Sequence, residues 1–118
     1  SGQYVDAWSN RTHEMMAGRN GAGTDPNRAV AFFFSTAGSA NVWGYSNPEV
    51  DALCDEGKVT VNEAERENIY KEAQKLILND CPNIFMASPM EYFFARSNIE
   101  GFEPSTFNAE NFDNIVIK

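Results

Sequence analysis

The chain has 118 residues, of which 42% are hydrophobic, and this is enough apolar material for one folded core. Its 9 Lys and Arg residues and 17 Asp and Glu residues give a net charge of −8 at pH 7, which argues against nucleic acid and anionic membrane surfaces as partners. The aromatic-rich runs "VAFFF" and "EYFFA" are far shorter than the ~18 apolar residues of a membrane span.

The N-terminal part of the chain leads into a glycine-rich loop. Residues 3–10 are typical of a short helix, and residues 12–18 ("THEMMAG") predict a short buried strand. The loop, residues 18–27 ("GRNGAGTDPN"), has the spacing G-x-x-G-x-G and no lysine after it. It therefore lacks the features of a phosphate-binding loop, and we expect a turn that needs positive φ angles. His13, the single histidine, belongs to no recognised catalytic motif, which favours a structural role.

A helix is predicted directly after the glycine-rich loop. Asp25 is suited to cap it and Pro26 to occupy its first position, where a missing N–H has no consequence. This helix is expected to end near residues 35–38. Residues 36–47, which are rich in Gly, Ser and Asn, predict a loop. The apolar residues of the helix are Val30, Phe33 and Phe34.

Two longer helices are indicated in the middle of the chain. The first, within residues 46–57, begins with a capping Ser or Asn before a proline, and Gly57 is expected to terminate it. The second, residues 61–80, opens with Asn62 and Glu65 in capping-box spacing, and Pro82 forbids its continuation. The apolar faces comprise Val50, Leu53 and Cys54 in the first helix and Ile69, Ala73, Leu76 and Ile77 in the second, with Tyr70 beside them. The solvated side of the second helix comprises Glu63, Glu65, Glu67, Lys71, Glu72 and Lys75.

The last third of the chain predicts strands separated by a polar segment. Residues 83–97 contain short apolar runs typical of one or two buried strands, interrupted around Ser88 and Pro89. Residues 98–112 are a long polar stretch, and residues 114–117 ("NIVI") predict a closing strand.

Three segments of the chain resemble a known family. They are "YSNPEVDALCDEG", the segment from "NEAERENIY" to "NIEGFEP", and the terminal "FDNIVI". In order and spacing they resemble the extracytoplasmic solute-binding proteins of peptide-, nickel- and opine-type ABC transporters (family 5). The likeness covers nearly the whole chain but only the C-terminal quarter or so of a typical member. It implies an α/β fold of the periplasmic binding protein-like II type, with residues 1–95 in the C-terminal lobe and residues 96–118 forming the hinge crossing and return strand to the first lobe.

The resemblance also implies a function. A small solute (peptide-like, opine, sugar or related) would be captured in the periplasm, or at the outer face of the cytoplasmic membrane, and delivered to the permease of an ABC importer. No cofactor and no bond chemistry are expected, and a signal or lipid anchor would lie in the N-terminal part, whose lobes complete the cleft. The alternative is a ligand-sensing or protein-interaction module of a regulator built on the same fold. An enzyme would need an acid/base or metal group, and the sequence shows none.

By the same resemblance, the glycine-rich loop would form part of the wall of the ligand cleft. Many peptide binders have there an aromatic residue, an Asp that binds the α-ammonium of the ligand, and a proline, in the spacing that Arg19, Ala22 and Pro26 have here. Because Ala22 has no carboxylate, free-amine peptides are not expected to bind in the usual way. Arg19 either binds a carboxylate or sugar hydroxyls or is a solvated loop cation, and Asp25 either binds the ammonium or caps the helix. The predicted ligand-binding residues are Arg19, Asn20, Gly21, Ala22, Thr24, Asp25, Asn41 and Trp43.

Two further features have alternative interpretations. Trp43 and Tyr45 are suited to stack on a ligand or to bury against the neighbouring helix. Cys54 and Cys81 are compatible with a disulfide, which an oxidising location would permit, or with two buried thiols. No cluster of Cys and His residues indicates a metal site.

Overall fold

Four helices and one small antiparallel sheet make up the regular structure that the computed structural model describes, which covers residues 2–18, 21, 23–104 and 112–118. The chain divides into two units, Ser1–Ile84 and Phe85–Lys118. Within the described ranges, each helix is too short or too polar to span a lipid bilayer. The lobe boundary expected after residue 95 concerns a larger protein and stays a prediction.

The first helix, α1, spans Gly2–Asn10, as the sequence predicts. It ends because Arg11 adopts a left-handed conformation, with φ of 52°, which lets the N–H of Thr12 return to the carbonyl of Ala7. Nδ1 of His13 lies 3.0 Å from the same carbonyl, and this contact is in keeping with a structural role for the histidine.

The buried strand predicted for residues 12–18 is wrong. The segment is irregular, and the side chain of Met15 is 92% exposed. Apolar residues produce a strand only when a neighbouring strand pairs with them, and the described part of the chain forms no sheet there.

Helix α2 spans Pro26–Phe34, and both its beginning and its end agree with the sequence prediction. Asp25 is its N-cap, since the Asp25 carboxylate accepts a hydrogen bond of 2.7 Å from the N–H of Asn27. Helix α2 buries Val30, Ala31 and Phe33.

Helix α3 spans Pro48–Val59 and is capped by Asn47, whose side chain accepts from the N–H groups of Glu49 and Val50. The helix continues past Gly57, so the predicted termination at this glycine is wrong. Gly57 is buried and faces the ring of Tyr70, and a Cβ atom at position 57 would lie 2.7 Å from Cζ of that ring. The glycine is required by close packing rather than by a turn.

Helix α4 spans Glu63–Asp80. Its cap follows the predicted spacing, because the Asn62 side chain accepts a hydrogen bond of 3.1 Å from the N–H of Glu65. At the other end Cys81 adopts the left-handed conformation, with φ of 49°, directly before Pro82. The sequence therefore predicts both ends of this helix correctly.

The core of unit Ser1–Ile84 lies where α2, α3 and α4 meet. The predicted faces of α3 and α4 supply most of it, and Tyr70 is the largest fully buried side chain. The buried residues of the cluster are Val30, Ala31, Val50, Cys54, Tyr70, Ala73 and Ile77.

The two cysteines are both free thiols in the structure, and they occupy different environments. Cys54 is a free thiol inside the core, where burial raises its pKa to about 11. Cys81 is a free thiol that is exposed at the C-terminal end of α4. Of the two alternatives drawn from the sequence, a buried thiol holds for Cys54 alone.

Unit Phe85–Lys118 contains the small sheet. Strand β1 (Ile99–Glu100) pairs antiparallel with β2 (Val116–Ile117), so that Ile99 lies opposite Ile117 and Glu100 opposite Val116. Strand β2 thus confirms the predicted closing strand. The Nζ atom of Lys118 adds an ion pair of 2.6 Å to Glu100.

The buried strands predicted between residues 83 and 97 are wrong for this chain. Residues 84–96 are irregular and largely exposed. A strand is buried only if other elements cover both of its faces, and none of the described elements does so here. The large exposed side chains of this unit are Phe85, Met86, Met90, Tyr92, Phe93, Phe94, Phe112, Val116 and Ile117.

A test of the contact between α3 and α4 is the substitution Gly57→Ala. An alanine inside a helix ordinarily stabilises it by about 1 kcal/mol relative to glycine. Here the added methyl group would collide with the Tyr70 ring, so we expect a loss of about 1–3 kcal/mol in the free energy of unfolding, measured by denaturant titration. In a Tyr70→Leu background the same substitution should be neutral or stabilising. A stabilising Gly57→Ala with Tyr70 present would contradict the close packing.

Candidate ligand-binding site

An open cleft of about 540 Å³ lies between the beginning of α2 and residues 63–74 of α4. The end of the glycine-rich loop forms one side of the cleft and a polar stripe of α4 forms the other. The lining residues are Thr24, Asp25, Pro26, Glu63, Arg66, Glu67, Tyr70, Lys71 and Gln74.

Asp25 forms an ion pair across this cleft. Nη2 of Arg66 donates to both carboxylate oxygens of Asp25, at 2.9 and 3.1 Å. The hydrogen bond from Arg66 lowers the pKa of Asp25, and the bond from the N–H of Asn27 adds to this effect. The carboxylate therefore stays ionised while it caps α2 and pairs with Arg66 at once.

Arg66 and Tyr70 of α4 also bond to the two neighbouring helices, α3 and α2. Nε of Arg66 donates to the carbonyl of Gly57 at 3.0 Å, and the guanidinium lies 5.1 Å from the centre of the Tyr70 ring. The hydroxyl of Tyr70 donates to the side chain of Asn27 at 3.2 Å. The beginning of α2 is thus bonded to α4 at two points.

Of the ligand-binding residues predicted in the glycine-rich loop, some line the cleft and others lie outside the described residues. Arg19, Asn20 and Ala22 lie outside the described residues. Gly21 is exposed, and Gly23 beside it has a positive φ of 70°, as expected for this loop. Thr24 and Asp25 line the cleft. Of the two roles considered for Asp25, the helix cap is confirmed, and its pairing with Arg66 satisfies the charge that a ligand ammonium would need.

Both signs of charge line the cleft. Lys71 forms an ion pair of 2.6 Å with Glu67 one turn earlier, and Glu63 lies at the beginning of α4. The sequence assigned these three residues to the solvated side of the helix; they are exposed but also face Thr24 and Asp25 across the cleft. No group of His, Cys, Asp and Glu suited to a metal ion occurs in the described ranges.

Asn41 and Trp43 do not line this cleft; they lie in the loop of residues 36–47. The Asn41 side chain is buried and donates to the carbonyls of Ser35 and Tyr45, at 3.0 and 2.6 Å, while its own oxygen accepts from the N–H of Tyr45. Nη2 of Arg11 donates to the main-chain carbonyl of Asn41 at 2.7 Å. Ligand binding by Asn41 stays a prediction, and its side chain is engaged in holding the loop.

Trp43 is held in a similar way. Its Nε1 donates to the carbonyl of Phe33 at 3.0 Å, and its ring stacks on Phe34 at 6.0 Å between ring centres. Both Trp43 and Tyr45 are half-buried, so burial against the helix accounts for part of each ring and the rest remains open to solvent.

Tyr45 connects this loop to the end of α4. Its hydroxyl donates to Asp80 at 2.7 Å, and Asn47 donates to the same oxygen at 2.7 Å. Partial burial, followed by the bond to Asp80, raises the pKa of Tyr45 to about 12, while the bonds from Tyr45 and Asn47 lower the pKa of Asp80. Neither group changes its charge near neutral pH.

The contacts of Arg66 and Tyr70 with the glycine-rich loop are not predicted from the sequence. One signal was present: Arg66 and Tyr70 are four residues apart and so lie on one face of α4. That this face meets the beginning of α2 depends on how the helices pack, and no local pattern records it.

The chain is similar in sequence to several known proteins. No protein-family model matches the chain. It is 27% identical over 124 residues to the probable di/tripeptide-binding protein 5 of Pseudomonas aeruginosa and 24% identical over 121 residues to the dipeptide-binding protein of Escherichia coli, each alignment covering 99% of the chain. It is 29% identical over 83 residues, or 70% of the chain, to heme-binding protein A of Haemophilus influenzae.

These similarities confirm the resemblance to family 5 solute-binding proteins. The chain spans 23% of the length of each of the two peptide-binding proteins and 15% of the heme-binding protein. It is therefore similar to a fragment of these proteins, and its mixture of helices with a small sheet fits a part of a larger α/β fold.

A first prediction concerns the cap and ion pair of Asp25. Asp25→Ala should lower the free energy of unfolding by about 1 kcal/mol, the usual effect of losing an N-cap. Asp25→Asn keeps an acceptor for the cap and should lower the free energy of unfolding by less than Asp25→Ala does. The ion pair that it removes is weakened by solvent, because the Asp25 carboxyl is half-exposed. The matched control is Asp55→Asn, which removes an exposed carboxylate of α3 that pairs with Lys58. Denaturant titration at neutral pH compares the three variants.

The pH dependence of this effect has a definite sign. The folded pKa of Asp25 lies below its usual value of 3.8, so the stability that it contributes is present above pH 3.8 and is lost as pH falls through the folded pKa. The difference in stability between the wild type and Asp25→Asn should therefore shrink on acidification below pH 3.8. A difference that grows on acidification would contradict the assignment.

A second prediction concerns the loop of residues 36–47. Asn41→Ala should lower the free energy of unfolding by about 2 kcal/mol, because it removes the Asn41 partner of the half-buried N–H and C=O groups of Tyr45 and one of the two hydrogen bonds to the carbonyl of Ser35. Ser39→Ala, at an exposed position of the same loop, is the matched control and should have an effect within ~0.5 kcal/mol. Equal effects of the two substitutions in denaturant titration would show that Asn41 does not hold the loop.

Proposed function

We propose that the chain is the C-terminal part of an extracytoplasmic solute-binding protein that captures a small solute and delivers it to an ABC importer. The observation that carries the proposal is sequence similarity along 99% of the chain to two peptide-binding proteins. The function is binding and transfer, without bond chemistry. The location is the periplasm or the outer face of the cytoplasmic membrane, and the permease of the importer is the macromolecular partner.

The exposed apolar side chains of unit Phe85–Lys118 support the idea that this chain is part of a larger protein. Phe94 is 95% exposed and Met86 is 81% exposed. Several large apolar side chains exposed within one short segment are typical of a surface that other polypeptide covers. The relatives are about four times as long as the region matched here, so they contain the additional polypeptide that such a cover needs. In this proposal, residues 1–95 belong to the C-terminal lobe and residues 96–118 return to the first lobe.

The solute would contact the glycine-rich loop in this proposal. The contacting residues would be Arg19, Asn20, Gly21, Ala22, Thr24 and Asp25, with Asn41 and Trp43 as further candidates in the neighbouring loop. Ala22 supplies no carboxylate, and Asp25 is neutralised by Arg66. The proposed solute therefore does not depend on a free ammonium group at this wall, unlike a peptide bound by an aspartate.

The test uses the full-length protein that contains this chain, in a thermal-shift titration. The probes are the dipeptide Ala-Ala, its N-acetylated form and hemin, chosen because the relatives are named for dipeptides and heme. A probe present at 100 times its Kd stabilises the folded state by about 2.7 kcal/mol, which is a readily measured shift in Tm. We expect at least one probe to bind, and the acetylated dipeptide to bind as well as the free one.

A gain-of-function variant makes the same test sharper. Ala22→Asp restores the carboxylate that peptide binders carry and should tighten binding of free Ala-Ala by about tenfold or more, with no gain for the acetylated form. Stabilisation by free Ala-Ala alone in the wild type would overturn the interpretation of Ala22. Stabilisation by no solute, together with turnover of a substrate, would overturn the proposed function.

A further inference from the structure

Asp25, near the C-terminal end of the glycine-rich loop, is held from outside the loop. Both of its carboxylate oxygens accept hydrogen bonds from Arg66, which is 41 positions further along the chain. Gly21, Gly23 and Thr24, which precede Asp25, are exposed. Burial therefore contributes little to fixing the backbone of these residues. The ion pair between Asp25 and Arg66 contributes more to fixing it.

Arg66 is itself fixed by the helices behind it. Nε donates to the carbonyl of Gly57, the guanidinium lies over the ring of Tyr70, and 27% of the Arg66 side chain is exposed. The guanidinium is therefore presented to Asp25 in one orientation. A planar group with several donors can bond Gly57 and Asp25 together, whereas the ammonium of a lysine is a single point charge on a flexible stem.

Position 66 is the place on α4 where a cation can bond both α3 and Asp25. The close contact of Tyr70 with Gly57 brings α3 near enough for the Gly57 carbonyl to accept from Arg66. The Tyr70 hydroxyl adds a second link, to Asn27 in the first turn of α2. Lys75, another cation of α4, pairs with Glu72 on its own helix and is not part of the cleft lining.

We propose that Arg66 is a positioning residue of the binding site, which acts through Asp25 to hold residues 23–26 in the conformation that forms one side of the cleft. This inference rests on the proposed function, in which the loop contacts the solute. A loop that becomes ordered only on binding lowers the affinity by the free energy of ordering it. Because Arg66 holds these residues in the free protein, binding does not have to supply the free energy of ordering them.

The first experiment needs no solute. Amide hydrogen exchange is measured on the full-length protein as wild type, Arg66→Gln and Arg66→Lys. We expect Arg66→Gln to accelerate exchange of the peptide covering residues 18–29 about two- to fivefold, the effect of losing a partly exposed ion pair. Arg66→Lys should restore only part of the protection, because the charge returns without the bonds to Gly57 and to both oxygens of Asp25.

Two variants control for unspecific effects. Ile77→Val removes one methyl group from the core and weakens the helical unit, so it should accelerate exchange in α3, while exchange in the exposed loop, which opens locally, should change little. Lys75→Gln changes the net charge as Arg66→Gln does and should leave exchange in the loop unchanged. Acceleration confined to residues 18–29 in Arg66→Gln supports the proposal. Uniform acceleration, or full rescue by lysine, would overturn it.

The second experiment measures binding of the dipeptide Ala-Ala to the same variants by calorimetry. Arg66→Gln should raise Kd about two- to fivefold, while Ile77→Val and Lys75→Gln should bind as the wild type does. Unchanged affinity in Arg66→Gln, with binding intact in the wild type, would overturn the positioning role. If the wild type does not bind Ala-Ala, that result counts against the peptide-binding part of the proposed function, and the exchange experiment still decides the role of Arg66.

Discussion

The contact between the Tyr70 ring and Gly57 is the constraint on which the helical unit depends. A glycine at position 57 leaves room for an aromatic ring that is almost completely buried, and this lets α3 and α4 approach closely. The approach also brings the carbonyl of Gly57 within reach of Arg66, and the hydroxyl of Tyr70 within reach of Asn27. One small residue opposite one large residue thus sets the position of the cleft as well as the packing of the core.

Local rules of sequence account for the helices because their signals are short-range. Asp25, Asn47 and Asn62 each cap a helix as predicted, since a cap depends on a side chain and the N–H groups two or three residues later. The left-handed Cys81 before Pro82 ends α4 for an equally local reason. The apolar faces of α3 and α4 followed from helical periodicity, and the structure buries most of the residues named on them.

The features that the sequence did not predict depend on distant partners. Glycine is a residue type that often ends helices, but Gly57 is required inside α3 because Tyr70 of α4 packs against it. The pair of Asp25 and Arg66 joins residues 41 positions apart, and no spacing rule covers such a distance. Residues 83–97 have strand-like composition without a strand beside them, because pairing is a property of the neighbour as much as of the segment. The candidate site combines both classes: its helix cap was predictable and its ion pair was not.

The unlike surroundings of the two thiols give the chain a natural labelling position. Nucleophilic attack on a maleimide requires a thiolate, and Cys54 is buried with a pKa of about 11, so it reacts slowly while the helices stay packed. Cys81 is exposed at the end of α4. It directly follows Asp80, which accepts the hydrogen bond from Tyr45. Among the described residues these are the free cysteines, so a single fluorophore can be placed on Cys81 without engineering. Its emission would report on the junction between the 36–47 loop and α4.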